Sequence, residues 1–75
     1  MNLDQIEPGE RAIVEEICVK GAMARRLQDL GLEKGTEIMC VGRSPLGDPS
    51  AYLILGSVFA LRRKDCACIV VRGCS

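Results

Sequence analysis

Seventy-five residues allow one small core, because a chain this short buries only about 60% of the surface its unfolded form exposes. Ten basic and ten acidic residues cancel, so no net field draws the chain towards nucleic acid or an anionic membrane, which argues against a nucleic-acid partner. Tyr52 and Phe59 are the only aromatics, so Ile, Val, Leu, Ala, Met and Cys must fill the interior.

The opening Met1-Asn2-Leu3-Asp4 has neither a basic segment nor an apolar stretch, so it does not read as a secretory signal. The longest mainly apolar run, residues 51–61, contains Gly56 and Ser57 and falls far short of the roughly 20 residues of a spanning helix. The expectation is a chain without membrane insertion. Five cysteines, an odd number without an export signal, point to reduced thiols and a cytoplasmic location.

In chain order, Pro8-Gly9 is a turn pair, and residues 11–19 follow as a β-branched first strand. Its alternation slips a phase at Val14-Glu15-Glu16-Ile17, where a bulge would let Val14 and Ile17 both face inward. Met23, Leu27 and Leu30 then recur at helical spacing, with Arg25, Arg26, Gln28 and Asp29 elsewhere on the wheel. Gly31 supplies a left-handed stop, and Leu32 folds back on the last turn as in a Schellman close. Residues 37–43 form a second strand with apolar residues on both faces.

Ser44-Pro45-Leu46-Gly47-Asp48-Pro49 is turn chemistry throughout and predicts an exposed loop. Residues 51–55 and 58–62 read as a hairpin about Gly56-Ser57, with Gly56 at the first corner of a type II′ turn. Residues 63–67 make one helical turn, and Ile69-Val70-Val71 a last strand. Five short strands with one short α-helix predict a mainly β fold, a small half-open SH3-like barrel spanning residues 1–75 as one domain. Short edge strands leave pairing with a second copy open.

Candidate chemistry is sparse. Without histidine the chain has no Ser-His-Asp or Cys-His relay. No glycine precedes Lys-Ser or Lys-Thr as a phosphate-binding loop requires, so the chain reads as a non-enzyme. Cys66-x-Cys68, with Cys74 beyond, is the one arrangement with thiolate character suited to Fe(II) or Zn(II), although paired knuckles use Cys-x2-Cys. Arg62-Arg63-Lys64 is either a solvated face or a partner contact, since arginine forks satisfy carboxylates and carbonyls with little loss of order. The stripe of Met23, Leu27 and Leu30 reads as core, or, if incompletely covered, as an apolar groove.

Three segments together carry a resemblance: Leu27-x2-Leu30-Gly31-Leu32-x2-Gly35, then Ser44-Pro45-Leu46-Gly47-Asp48-Pro49, then Ala60-Leu61-Arg62-Arg63-Lys64-Asp65. In order and spacing they resemble the ferrous iron transport protein A family, FeoA. The resemblance implies an SH3-like accessory protein that binds FeoB, the membrane ferrous iron transporter, through its cytosolic G-protein domain. Two features depart from the family pattern: Ser50 stands where a β-branched residue is common, and the cysteines at 66, 68 and 74 belong to this chain. The alternatives are a thiolate iron or zinc carrier or sensor, and a relative of the C-terminal domain of iron-dependent repressors. For partner contacts the choice falls on Pro45, Leu46, Gly47, Asp48 and Pro49, exposed by their turn chemistry, and on Arg62, Arg63 and Lys64.

Overall fold

Alternation of apolar and polar residues sets the sheet, and two slips in that alternation bend it. In the computed structural model, which describes residues 1–73, the strands are β1 (Arg11–Ile17), β2 (Glu37–Arg43), β3 (Ser50–Ile54), β4 (Ser57–Leu61) and β5 (Ile69–Gly73). They form one antiparallel sheet in the order β4-β3-β2-β1-β5. The first slip is the expected one: Val14 faces Val71 and Glu16 faces Val70, so Glu15 is the extra residue of a bulge. Val14 is buried and Ile17 packs against the core, as the bulge requires. The second slip, at Val41 between the Cys40–Tyr52 and Gly42–Ala51 pairs, leaves Val41 exposed.

Helix α1 (Ala22–Asp29) crosses from β1 to β2. Its end is a full Schellman close: the Gly31 N–H donates to Gln28 O at 3.0 Å and the Leu32 N–H to Leu27 O at 2.9 Å. Gly31 takes φ +89°, where a side chain costs about 1–2 kcal/mol. Leu27 and Leu32 are fully buried, each contributing about 1.5–3 kcal/mol of burial. Met23 and Leu30 are only partly covered at the core margin, so the helix stripe is part core and part surface.

The β3–β4 hairpin differs from expectation. Ile54 pairs with Ser57, so the corners are Leu55 (φ +50°) and Gly56 (φ +84°), and the turn has the positive φ at both corners of type I′. Alternation does not separate this register from one about Gly56-Ser57, because both keep Tyr52, Ile54, Phe59 and Leu61 on one face. A tertiary contact separates them: the Leu55 side chain lies over Gly31, where a Cβ would overlap its Cδ1.

The sheet curls around Leu3, Ile6, Leu27, Leu32, Tyr52, Cys66 and the inward strand residues, which make one continuous core. The N-terminal segment, with a 3-10 turn at Leu3–Gln5, plugs one end. Asn2 bridges Val70, and the Val71 N–H donates to Met1 O at 2.7 Å, so this segment covers the outer edge of β5. Arg43, at the end of β2, ties it down through Nη2 to the carbonyls of Ile6 (2.7 Å) and Asp4 (3.3 Å). Helix α2 (Arg63–Cys66) is one turn between β4 and β5. No helix is long and apolar enough to cross a membrane among the described residues.

Candidate functional site

The loop between β2 and β3 is built from within. Pro45 occupies the second position of a β-turn closed by the Gly47 N–H donating to Ser44 O at 2.8 Å, and the Ser44 N–H donates to Pro49 O at 3.1 Å. At its tip Leu46 is 93% exposed. Asp48 turns the other way: its Oδ1 accepts from the Arg63 N–H at 2.9 Å and so caps α2 from a distant segment. The loop that displays Leu46 thus also holds the first turn after β4.

Between this loop, α1 and α2 lies an open cleft of ≈ 610 Å³, lined by Met23, Arg26, Pro49, Ala60, Leu61, Arg62, Lys64 and Asp65. Asp48, Pro49, Arg62 and Lys64 line an adjoining hollow. The structure therefore gathers Asp48, Pro49, Arg62 and Lys64 at one place, with Leu46 projecting beyond them. Arg63 departs from the group: its Nε approaches the Asp4 carboxylate at 4.0 Å, on the side of the N-terminal segment. Consecutive residues on one helical turn point in different directions, so the basic triplet splits into two outward cations and one anchor.

Arg26 of α1 was not among the residues singled out for contact, and Met23 only as part of an apolar stripe read as core or groove. They sit three apart and so share a helix face. That spacing was available in the sequence, but which face meets the Pro49 end of the loop depends on the chain path. With Arg62 and Lys64, Arg26 gives the cleft three cations against Asp65, beside the apolar Met23, Pro49 and Leu61. Such a rim suits a partner segment that carries carboxylates and an apolar side chain.

Behind the cleft, the Tyr52 hydroxyl lies against the Cys66 thiol and the Ser50 hydroxyl. The Ser50 departure thus has a physical reason: it is buried and meets the one phenol of the core. Burial pushes the Cys66 thiol up to about 11; the hydrogen bond from Tyr52 opposes this, and the charges of Asp4, Asp65 and Asp48 add to it. Burial, with the Cys66 contact next, also raises the Tyr52 phenol. At neutral pH Cys66 is a neutral core thiol, unsuited to be a nucleophile or metal ligand. Cys68 is half-buried and turns its Sγ to Lys64 O at 3.7 Å. No group of three metal-ligating side chains occurs among the described residues, and Cys74 lies outside them.

A second surface lies on the outer face of the sheet. Met39, Leu53 and Val58 form a cross-strand row, with Val58 60% exposed and Leu55 73% exposed beside it. Arg11 and Glu37 pair at 3.5 Å at its border.

Five antiparallel strands curled about one core, with a helix after the first and a single helical turn before the last, define a small SH3-like module. The FeoA domain profile matches residues 1–73, and the chain belongs to the FeoA family. It is 32% identical over 71 residues to a fusion of Fe(2+) transport protein A with the Fe(2+) transporter FeoB from Porphyromonas gingivalis, matching 95% of this chain. The chain spans only 8% of that relative's length. The solution structure of FeoA from Chlorobium tepidum is 33% identical, with a TM-score of 0.95 over 100% of this chain and 71% of its own. The zinc complex of Stenotrophomonas maltophilia FeoA, described as a procaryotic SH3 domain protein, is 33% identical, with a TM-score of 0.84 over 96% of this chain and 89% of its own.

Proposed function

We propose that the 75 residues form a single non-enzymatic module that serves ferrous iron uptake on the cytoplasmic side by docking on the G-protein domain of a FeoB-type transporter and modulating its nucleotide turnover. The observation that carries this reading is the Porphyromonas gingivalis relative, in which the same kind of domain and a FeoB transporter are one polypeptide. Covalent joining places two domains at high effective concentration and is useful where they act together.

The geometry supplies a surface for such a contact. Leu46 is a single large apolar side chain held out on a hydrogen-bonded loop, beside a cleft with a cationic rim at Arg26, Arg62 and Lys64. An exposed apolar side chain bordered by arginine and lysine matches the apolar centre and polar rim of a protein interface. Pro45, Gly47 and Pro49 shape the loop; Asp48 holds it to α2.

Titration of the cognate FeoB cytosolic domain, with and without guanine nucleotide, tests the proposal. Wild-type protein is expected to bind saturably, and Leu46→Asp combined with Arg62→Glu to weaken binding at least tenfold with nearly unchanged melting temperature. No association in either nucleotide state, together with unchanged iron uptake on deletion, overturns it.

A further inference from the structure

Two cysteines that play no part in the cleft or the core lie opposite one another where the β1–β5 ladder ends. The β1–β5 ladder pairs Ile17 with Ile69, and one step further the Cys18 N–H donates to Cys68 O at 2.8 Å. Ile69 is buried and Ile17 packs against the core, so the next pair along an antiparallel ladder, Cys18 and Cys68, turns to the other side. Cys18 is exposed and Cys68 half-buried, whereas Cys40 and Cys66 are fully buried and out of reach of a solution oxidant. The Cys68 N–H donates to Asp65 O at 3.1 Å, so the two residues share one ladder bond and not two; residues opposite one another in an antiparallel ladder hold their Cα atoms about 4.5–5.5 Å apart, inside the roughly 4.4–6.8 Å span that a disulfide bridges. The Cys68 sulfur rests 3.7 Å from Lys64 O, a weak contact that a change of χ1 rotamer releases.

We propose that Cys18 and Cys68 are a redox modification site: a hydroperoxide converts them to a reversible disulfide that locks the end of β1 to the start of β5. The Cys18 thiolate attacks one peroxide oxygen, becoming a sulfenic acid as the O–O bond breaks and the other oxygen leaves as water. The Cys68 thiolate then attacks that sulfur and displaces hydroxide, which leaves as water after protonation. In sum, two thiols and one hydrogen peroxide give one disulfide and two waters; each sulfur loses one electron, and the two oxygens gain them. Two thiolates supply half of a tetrahedral zinc set, and no described third ligand joins them, which favours oxidative coupling over metal binding.

The position gives the bond a structural effect that does not depend on what fills the cleft. Cys18 lies three residues before Gly21, the N-cap of α1, and Cys68 lies just past α2. The two helices supply Met23 and Arg26 on one wall of the cleft and Lys64 and Asp65 on another. The disulfide closes a loop of about 50 residues and restrains both approaches at once.

The reduced, purified chain treated with equimolar hydrogen peroxide provides the test. It is expected to lose the mass of two hydrogen atoms, to yield a cross-link between the tryptic peptides spanning residues 12–20 and 65–72 that fragmentation assigns to Cys18 and Cys68, and to regain its mass in dithiothreitol. Cys18→Ser and Cys68→Ser each abolish the link, and Cys74→Ser leaves it intact. The oxidised wild-type chain melts several degrees above the reduced one, a shift absent from Cys18→Ser. A link from Cys68 to Cys74, a link between two chains, or sulfinic acid at Cys18 with no link overturns the proposal.

Discussion

Two exposed leucines crown the two tips of the sheet, and they are not equivalent. Leu46 stands at the end of a loop fixed by its own turn bonds and by Asp48, so its 93% exposed side chain is free of structural duty. Leu55 occupies a left-handed corner at φ +50°, a conformation that costs a β-turn leucine of order 1 kcal/mol, and its side chain covers Gly31 at the end of α1. Exposure alone would rank both as contact residues. The difference lies in what each side chain already touches: one tip displays a residue, the other uses its residue to join a hairpin to a helix.

The largest effect expected comes from alkaline pH acting behind the first tip. Because the folded Cys66 thiol is raised to about 11, its contribution to stability is complete below about pH 9 and is lost as pH rises through 11, up to about 3 kcal/mol. Denaturant unfolding at pH 8 and pH 11 measures the loss, and Cys66→Ala is expected to reduce the dependence, leaving the smaller part due to the raised Tyr52 phenol. Gly31→Ala attacks the second tip, since its Cβ meets Leu55 and its φ stays left-handed; a loss of about 2 kcal/mol is expected in thermal unfolding. Asp48→Ala removes the cap of α2 and is expected to cost about 1 kcal/mol by the same measurement. Leu55→Asn sharpens the contrast, because asparagine tolerates the left-handed corner and gives up only the contact over Gly31: a loss of about 0.5–1 kcal/mol is expected, whereas a gain would show that Leu55, like Leu46, has no structural duty. Leu46→Asp is expected to leave stability within about 0.5 kcal/mol while weakening the proposed binding to a FeoB domain. A large fall in its melting temperature would make the two tips alike.

Much of the fold was legible because its signals are local. The Val14-Glu15-Glu16-Ile17 phase slip is a bulge, and Leu30-Gly31-Leu32 closes a helix, since each is decided by a few neighbouring residues. The β3–β4 turn was misplaced by one residue because two registers bury the same face, and the contact that chooses between them comes from Gly31, more than twenty residues away. The site was legible to a lesser depth for the same reason. Pro45 to Pro49 read as exposed from turn chemistry, and Arg62 and Lys64 from charge; that Arg63 turns to Asp4 while Arg26 enters the cleft follows only from how α1 and α2 meet. Ser50 looked like a misfit until Tyr52 supplied its partner.

The N-terminal strap along β5 makes the Val71 amide a natural reporter. Its donor bond to Met1 O is the last rung on that side of the sheet, while Leu3 and Ile6 behind it are fully buried. Solvent exchange at this one N–H therefore measures how often the first residues peel away, and exchange at the interior rungs of β1 measures opening of the whole sheet. The ratio of the two rates would separate fraying of the strap from global unfolding in a single spectrum.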